Sequence, residues 1–348
     1  MTPRLWTSLH QNQRVTRGVT IDEVRLIIPL LLALSLLLAA CGGGEASPTD
    51  EPTAPPTRTA RPTPTRSPTP SPTPTAEPTP SPTPYAAAVI DLTGSHTLQG
   101  GFLAVRLLYA DPSVTAPAVV LNGVTYTMVP SADRWYAYIG LPTWFGVGGY
   151  PMDVYDAGLV IASGWLDVTE GGFTFENLDL PPGSAGDLLY DQARIDAERA
   201  EVDAIIAAFT PERYFSGPWI TPTQGVISDE FGTQRSVNGG AYFPHSGLDI
   251  ASDEGTPIYA AASGVVALAK ELYLYGNSAI IDHGVGVFSG YNHMSSIVVT
   301  AGQYVNQGDL IGYMGATGFA TGPHLHWEAI VQGVRVDPRY WTEGGVEP

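Results

Sequence analysis

The sequence contains a single cysteine, Cys41, among its 348 residues, so no intramolecular disulfide can stabilise the chain. Cations are also scarce, because 16 Lys and Arg stand against 34 Asp and Glu, for a formal net charge of −18. The first 84 residues are nearly balanced, so this negative charge belongs to the remainder of the chain. Such an acidic protein is a poor match for nucleic acid, and we expect no nucleic-acid partner.

An apolar run at residues 26–40, LIIPLLLALSLLLAA, is short for a bilayer-spanning helix but typical of a signal-peptide core. Leu38-Ala39-Ala40-Cys41-Gly42 follows it and resembles a bacterial lipobox, in which the cysteine receives diacylglycerol. We predict a signal peptide over residues 1–40 and a lipid anchor at Cys41. The alternative is an ordinary signal peptide with an idle thiol at Cys41. The expected location is the outer face of the cell membrane, or the outer membrane in a host with two membranes.

Residues 41–84 are rich in Pro and Thr, as in RPTPTRSPTPSPTPTAEPTPSPTP. This composition provides little apolar surface for a core and favours extended polyproline II. We predict a disordered stalk that carries the folded part away from a membrane surface.

Residues 85–182 show short β-branched and aromatic runs broken by turn residues, and Asn122-Gly123 predicts a two-residue hairpin turn. The region predicts a small β-sandwich, in which His96 occupies an exposed polar turn. Residues 183–212 predict one connecting amphipathic helix that begins at Ser184 and ends before Pro211. Its apolar positions recur every seven residues, at Leu188, Ile195, Val202 and Phe209.

Residues 213–348 lack helical periodicity and predict a second, mostly β domain. Five of the seven histidines lie there, between residues 245 and 326, which suggests a metal or proton-transfer site. His245 and Asp249 lie four residues apart in HSGLD. In HLHWE, the two-residue period of a strand places His324, His326 and Glu328 on one face. Catalytic zinc needs three protein ligands, for which His245, Asp249 and either His324 or His326 suffice.

Several of these motifs together resemble the LytM/lysostaphin-type (M23) zinc peptidases. HSGLD, GTPIYAA, GVV, YNHMS, GATGFATGPHLHWE and a trailing VDP occur in that order over roughly residues 215–340. The resemblance implies an antiparallel β catalytic domain with one Zn²⁺ bound by His245, Asp249 and His326. It also implies that His293 and His324 are catalytic. Asn292 precedes His293 where the family often has glycine.

No HExxH motif occurs, so the glutamate base of thermolysin-like enzymes is absent and histidines must perform the acid–base chemistry. Glu328 is an alternative base, but we interpret it as a partner that orients a metal ligand. His283 is interpreted as a turn or surface residue rather than a cleft residue. Gly315, Gly318 and Gly322 are expected to permit turns and close backbone approach at the rim of the cleft.

The leading hypothesis is therefore a zinc endopeptidase that cuts peptides in the stem or cross-bridge of peptidoglycan. The alternative is a non-hydrolytic module that binds wall peptides or activates a separate amidase. A biotinyl- or lipoyl-type carrier is rejected because Lys270 lacks the Met-Lys context of an acceptor lysine.

Overall fold

The computed structural model describes residues 88–132 and 134–344, which belong to one compact unit. The predicted signal peptide, the lipidation site Cys41 and the stalk lie outside these residues. Within the described ranges, no helix is both long enough and apolar enough to cross a membrane.

The first part of the described chain is a sandwich of two four-stranded antiparallel sheets, which confirms the predicted β-sandwich. One sheet has the order β1-β2-β6-β5 and the other the order β4-β3-β7-β8. The strands are β1 (Val89–Asp91), β2 (Phe102–Leu108), β3 (Ala118–Leu121), β4 (Val124–Thr127), β5 (Val129–Ser131), β6 (Arg134–Gly140), β7 (Gly148–Asp156) and β8 (Leu159–Val168).

The predicted hairpin turn joins β3 to β4. Asn122 and Gly123 both have positive φ, 49° and 77°, as a turn of type I′ requires at its two central positions. The left-handed conformation costs glycine little and asparagine less than most residues, which explains why this dipeptide is found here.

Strand β2 connects the sandwich to the rest of the protein because both of its faces are buried. Leu103, Val105 and Leu107 point into the sandwich core. Phe102 and Ala104, on the opposite face, belong to the larger core of the C-terminal part. The two β regions therefore share packed apolar surface.

The segment between the two β regions is shorter in helix than predicted. Ser184 caps a 3₁₀ turn, Ala185–Tyr190, and Asp191 caps a separate helix, α1, Gln192–Ile206. Two of the four residues predicted to line one helix, Leu188 and Phe209, therefore lie outside α1. Since Ser and Asp caps satisfy backbone N–H groups at both starts, the chain begins two helical segments instead of one.

One face of α1 packs against the C-terminal sheet. Val202 and Ile206 join an apolar cluster with Leu268, Phe288 and Ile330. The helix thus covers one face of the sheet, but it is less amphipathic than predicted, because its buried face also contains Glu198.

The C-terminal part is mostly antiparallel β, as predicted. Its main sheet has the order β10-β13-β21-β17-β16-β15-β19, with β22 paired to β21, and a smaller sheet has the order β14-β20-β18. A 3₁₀ turn, Pro338–Trp341, follows the last strand. The strands are β9 (Phe175–Leu178), β10 (Val226–Asp229), β11 (Gln234–Val237), β12 (Phe243–Pro244), β13 (Leu248–Ala251), β14 (Pro257–Tyr259), β15 (Gly264–Leu272), β16 (Gly276–Gly284), β17 (Val287–Met294), β18 (Ser296–Ile297), β19 (Tyr304–Val305), β20 (Leu310–Tyr313), β21 (His324–Val331) and β22 (Val334–Val336).

Strand β9 follows the sandwich in sequence but pairs with the C-terminal part. It runs parallel to β11, with Phe175 opposite Gln234, and β11 pairs on its other side with β12. This three-stranded sheet brings the end of the sandwich region close to the loop that carries His245.

Strands β13, β21 and β17 are neighbours in the main sheet and present the histidine motifs on one face. Asp249 lies opposite His326 across β13 and β21. Leu325 and Trp327 point to the other face, where both are fully buried in the core. The alternation predicted for HLHWE is therefore confirmed.

Candidate metal centre

Three side chains from two strands and a loop converge on one point. His245 follows β12, Asp249 lies on β13 and His326 lies on β21. Asp249 Oδ1 lies 3.0 Å from His245 Nε2 and 2.8 Å from His326 Nδ1. The two nitrogens, His245 Nε2 and His326 Nδ1, lie 2.9 Å apart. All three residues are buried, so this cluster of acceptor atoms is largely shielded from solvent.

In His245 and His326, the ring nitrogen that faces away from the convergence point contacts other polar groups. His245 Nδ1 lies 2.8 Å from the carbonyl oxygen of Glu230, and because a carbonyl can only accept, this nitrogen carries the hydrogen. His326 Nε2 lies 3.2 Å from Ser246 Oγ and 3.4 Å from Glu328 Oε1. In its neutral form, each ring therefore directs its unprotonated nitrogen toward the convergence point.

The cluster attracts positive charge. Burial opposes a charge on His326, but its hydrogen bonds to Asp249 and Glu328 outweigh burial and raise its pKa to about 9. Burial also favours the neutral acid of Asp249, yet the ring nitrogens of His245 and His326 hold the pKa of that carboxyl well below its usual range. Without a shared proton, these acceptor atoms repel one another, and a bound cation removes that repulsion.

The donor set fits zinc. Two neutral imidazoles and one carboxylate are common zinc ligands, and three protein ligands leave a fourth tetrahedral position for water or substrate. Zinc–ligand bonds of about 2.0–2.1 Å place tetrahedral donor atoms about 3.3 Å apart. The three donor atoms therefore need to separate by only a few tenths of an ångström to accommodate the ion.

Two further histidines border the cluster. The ring centroids of His293 and His324 lie 4.8 Å apart, and that of His293 lies 5.9 Å from His326. Both fix Nδ1 on backbone carbonyls, Thr317 for His293 at 2.8 Å and Gly322 for His324 at 2.9 Å. Nε2 of each ring is thus the nitrogen left for a substrate or water.

Burial keeps this second pair neutral. Burial is the largest cause that lowers the pKa of His293, and the adjacent His326 and His324 add to it, giving about 3. Burial likewise lowers the pKa of His324, although nearby Asp249 acts in the opposite direction. His293 also adopts the left-handed conformation, with φ of 63°, which is uncommon for a residue with a side chain.

Glu328 lies behind His326 rather than beside the histidine pair. Its Oε1 accepts hydrogen bonds from Ser246 Oγ at 2.7 Å and from Arg335 Nε at 2.9 Å, and it contacts the outer nitrogen of His326. Although burial acts in the opposite direction, Arg335 and His326 keep the pKa of Glu328 well below its usual range. This position fits our interpretation of Glu328 as an orienting partner.

Sequence reasoning missed Arg235, which contacts the other oxygen of Asp249. Arg235 Nη2 lies 3.1 Å from Asp249 Oδ2 and also forms an ion pair with Asp229. Arg235 lies on β11 and Asp229 on β10, and neither belongs to a recognisable motif. Only the small number of Lys and Arg residues in this acidic chain could have drawn attention to Arg235.

Two predictions for other histidines were wrong. His283 is fully buried, not at the surface, with Nδ1 2.8 Å from the Ser263 carbonyl and Nε2 2.7 Å from Ser289 Oγ. His96 is half-buried, and its ring stacks on Tyr340 with centroids 4.0 Å apart. The apolar core provides hydrogen-bond partners for His283, and aromatic packing removes His96 from the exposed turn.

Of the three glycines expected to permit turns and close backbone approach, Gly318 fits the prediction most clearly. Its φ is 74°, and a Cβ built there lies 2.4 Å from the backbone nitrogen of Gly276. This close approach holds Thr317, whose carbonyl orients His293 and whose Oγ1 donates to the Met294 carbonyl at 2.8 Å. Backbone packing between this loop and β16 thus fixes one of the two bordering histidines.

Comparison with known proteins connects this site to one family. The model for peptidase family M23 matches residues 243–338, which include all five residues of the metal cluster and the histidine pair. Peptidoglycan DD-endopeptidase ShyA of Vibrio cholerae is 46% identical over 90 residues, covering 26% of this chain and 21% of that protein. DD-carboxypeptidase/endopeptidase Mpg of Neisseria meningitidis is 39% identical over 112 residues, covering 32% of this chain and 26% of that protein.

The similarity to a solved structure is broader. A Pseudomonas aeruginosa protein assigned to peptidase M23 is 30% identical, with a TM-score of 0.55, and the match covers 72% of this chain and 96% of that one. In contrast, the chain spans only about a quarter of the length of the two curated relatives.

Proposed function

Since the chain belongs to peptidase family M23, we propose that it is a zinc endopeptidase that hydrolyses peptide bonds in the stem or cross-bridge of bacterial peptidoglycan. The observation that carries the proposal is the convergence of His245, Asp249 and His326 beside an oriented histidine pair. The similarity to a peptidoglycan DD-endopeptidase of Vibrio cholerae supports peptidoglycan as the substrate, and the similarity to a DD-carboxypeptidase/endopeptidase of Neisseria meningitidis supports peptide hydrolysis.

In this proposal His245 Nε2, Asp249 Oδ1 and His326 Nδ1 hold one zinc ion. When bound, zinc supplies Lewis acidity, which polarises the scissile carbonyl and makes water a stronger acid. Glu230, Ser246 and the other fixed partners keep the ligand nitrogens aimed at one point before the ion arrives. Little reorganisation is then needed on binding.

His293 and His324 perform the proton transfer. Each is neutral and presents Nε2 as an acceptor, so one of them accepts the proton as water attacks the carbonyl carbon. The protonated ring then donates that proton to the amine nitrogen as the carbon–nitrogen bond breaks. The backbone carbonyls that hold both Nδ1 atoms keep the rings in place through both transfers.

The proposed location is outside the cell, with Cys41 carrying a lipid anchor and residues 41–84 serving as a stalk. This part of the proposal is supported by the lipobox-like LAACG, the Pro/Thr-rich composition and the similarity to a peptidoglycan DD-endopeptidase. Labelling with a lipid precursor, compared between the parent and Cys41→Ser, tests it.

The catalytic proposal is tested with the full-length protein, loaded with zinc and incubated with defined muropeptides whose products are identified by mass spectrometry. We expect the parent to bind one zinc per chain and to release peptide fragments whose masses name the bond. His326→Ala should lose both properties. His96→Ala is the matched control, because the His96 ring packs on Phe102 and Tyr340, which are not among the site residues.

Two results would contradict the endopeptidase proposal. Equal cleavage by the parent and His326→Ala would place the activity elsewhere. Zinc binding by the parent without cleavage of any wall substrate would favour the non-hydrolytic binding or amidase-activating module.

A further inference from the structure

A groove of about 470 Å³ lies between the sandwich and the C-terminal part. Trp144 and Val147, from the loop between β6 and β7, form one wall. The other wall includes Phe173, which precedes β9, and Phe175, which is the first residue of β9. The groove is therefore made by segments that only the folded chain brings together.

The groove is built on fixed contacts. The side chain of Gln99 donates from Nε2 to the Phe145 carbonyl at 2.6 Å and accepts from the Gly171 N–H at 3.3 Å. It thereby ties the loop that carries Trp144 to the segment that leads into β9. On the opposite side, the ring of Phe175 packs edge-on against Tyr242, with centroids 5.4 Å apart. The aromatic side chains are thus presented by an ordered frame.

The aromatic side chains in this groove are strongly exposed. Trp144 has 80% of its surface exposed and Phe175 has 71%. Large apolar side chains that lie together in solvent along a concave surface mark a binding site more often than isolated ones do. Gln99, Glu170 and Gln234 supply hydrogen-bonding groups around them.

The charge of the groove restricts its ligand. Its lining contains no Lys or Arg, and its one ionisable side chain is the acid Glu170. An anionic ligand, including a carboxylate-rich peptide, has no cation to pair with here. A neutral ligand with flat apolar faces and hydroxyl or amide edges matches both the aromatic and the polar groups. N-acetylated sugars have this chemistry.

The lining of the groove includes the sequence neighbour of a proposed zinc ligand. Gln234 pairs with Pro244 across β11 and β12, and both line the groove. The next residue after Pro244 is His245. The groove therefore reaches the residue that precedes a proposed zinc ligand in the chain.

We propose that this groove binds the glycan strand of peptidoglycan and presents the attached peptide to the histidine cluster. The inference rests on the proposed endopeptidase function for its choice of polymer. The sugar faces stack on Trp144 and Phe175, while hydroxyl and acetamido groups bond to Gln99, Glu170 and Gln234. The sandwich thereby contributes one side of the substrate site.

The test uses the full-length protein and peptide-free N-acetylglucosamine oligomers, with affinity measured by isothermal titration calorimetry. We expect measurable binding by the parent and at least a tenfold weaker affinity in Trp144→Ala and in Phe175→Ala. Trp165→Ala is the matched control, because Trp165 is also strongly exposed, at 60%, but lies outside the groove on β8. It should bind as the parent does.

A second measurement compares hydrolysis of intact sacculi with hydrolysis of a glycan-free cross-linked peptide. The ratio of the two rates should fall at least tenfold in Trp144→Ala and stay unchanged in Trp165→Ala. Absence of oligomer binding by the parent, or equal binding by Trp144→Ala, overturns the glycan inference while leaving peptide hydrolysis to be judged separately. Oligomer binding with the expected variant pattern, but without any hydrolysis, retains the groove and rejects the endopeptidase.

Discussion

Replacing Glu328 by glutamine tests whether the charge behind His326 orients a metal ligand. The carboxylate is buried, accepts from Ser246 and Arg335, and contacts His326 Nε2 at 3.4 Å. Glu328→Gln keeps the size and one acceptor oxygen but removes the negative charge. His326 then loses the anion that favours a hydrogen on Nε2 and an unprotonated Nδ1.

Two effects of different size follow. Loss of a group that orients a metal ligand typically weakens metal binding 10–100-fold, or about 1.4–2.7 kcal/mol. Loss of one member of a buried ion pair costs about 3–5 kcal/mol of folding stability. Since the side chain of Arg335 is 24% exposed and glutamine still accepts one hydrogen bond, we expect a loss of stability at the bottom of this range, about 3 kcal/mol.

Zinc affinity is measured by competition with a chelator, and stability by urea unfolding of the metal-free protein. The double variant Glu328→Gln/Arg335→Met separates the two effects, because it removes the unpaired cation but does not restore the anion. It should regain much of the stability without regaining zinc affinity. Parental zinc affinity in folded Glu328→Gln, or joint recovery of both properties in the double variant, would refute the orienting role.

Three further predictions concern the fold around the site. Trp341→Ala should cost about 3–5 kcal/mol of stability, because Trp341 is fully buried and its ring stacks on that of Phe102 in the sandwich, with centroids 4.5 Å apart. A smaller loss, measured by calorimetry, would contradict a core shared by the two β regions. Gly318→Ala should destabilise the protein in urea more than Gly239→Ala, since both have φ of 74° but only Gly318 meets backbone within 4 Å. His283 has a pKa lowered by burial to about 4, so the unfolded chain binds the extra proton. Stability should therefore fall as pH falls from about 6.5 to about 4, and this slope should shrink by up to about 1.4 kcal/mol per pH unit in His283→Gln.

Local sequence predicted those parts of the fold that depend on neighbouring residues. Asn122-Gly123 predicted a hairpin because both residues tolerate positive φ. Alternation in HLHWE predicted the opposite placement of His326 and Trp327 because successive strand residues face opposite sides. The helix was located but its start was misjudged, since Ser184 and Asp191 are both effective caps and the sequence does not show which one opens the longer segment.

Tertiary structure alone decided how the motifs meet. Asp249 and His326 are 77 residues apart, and the register of β13 on β21 places their side chains in contact. That same packing selects Arg235 and the Glu230 carbonyl as supporting groups, although neither belongs to a motif. The same packing explains why the prediction for His283 was wrong. A histidine followed by glycine is typical of a turn, and only the tertiary structure shows that this one is buried in the core.

The sequence by itself therefore determined which residues are candidates for metal binding and proton transfer, since that chemistry resides in residue type and short spacing. The groove that Trp144 and Phe175 share with Gln234 has no local signature, because its lining comes from five separated stretches of the chain. It depends on the parallel pairing of β9 with β11, which joins residues about 60 positions apart in the chain and therefore leaves no short-range pattern in the sequence.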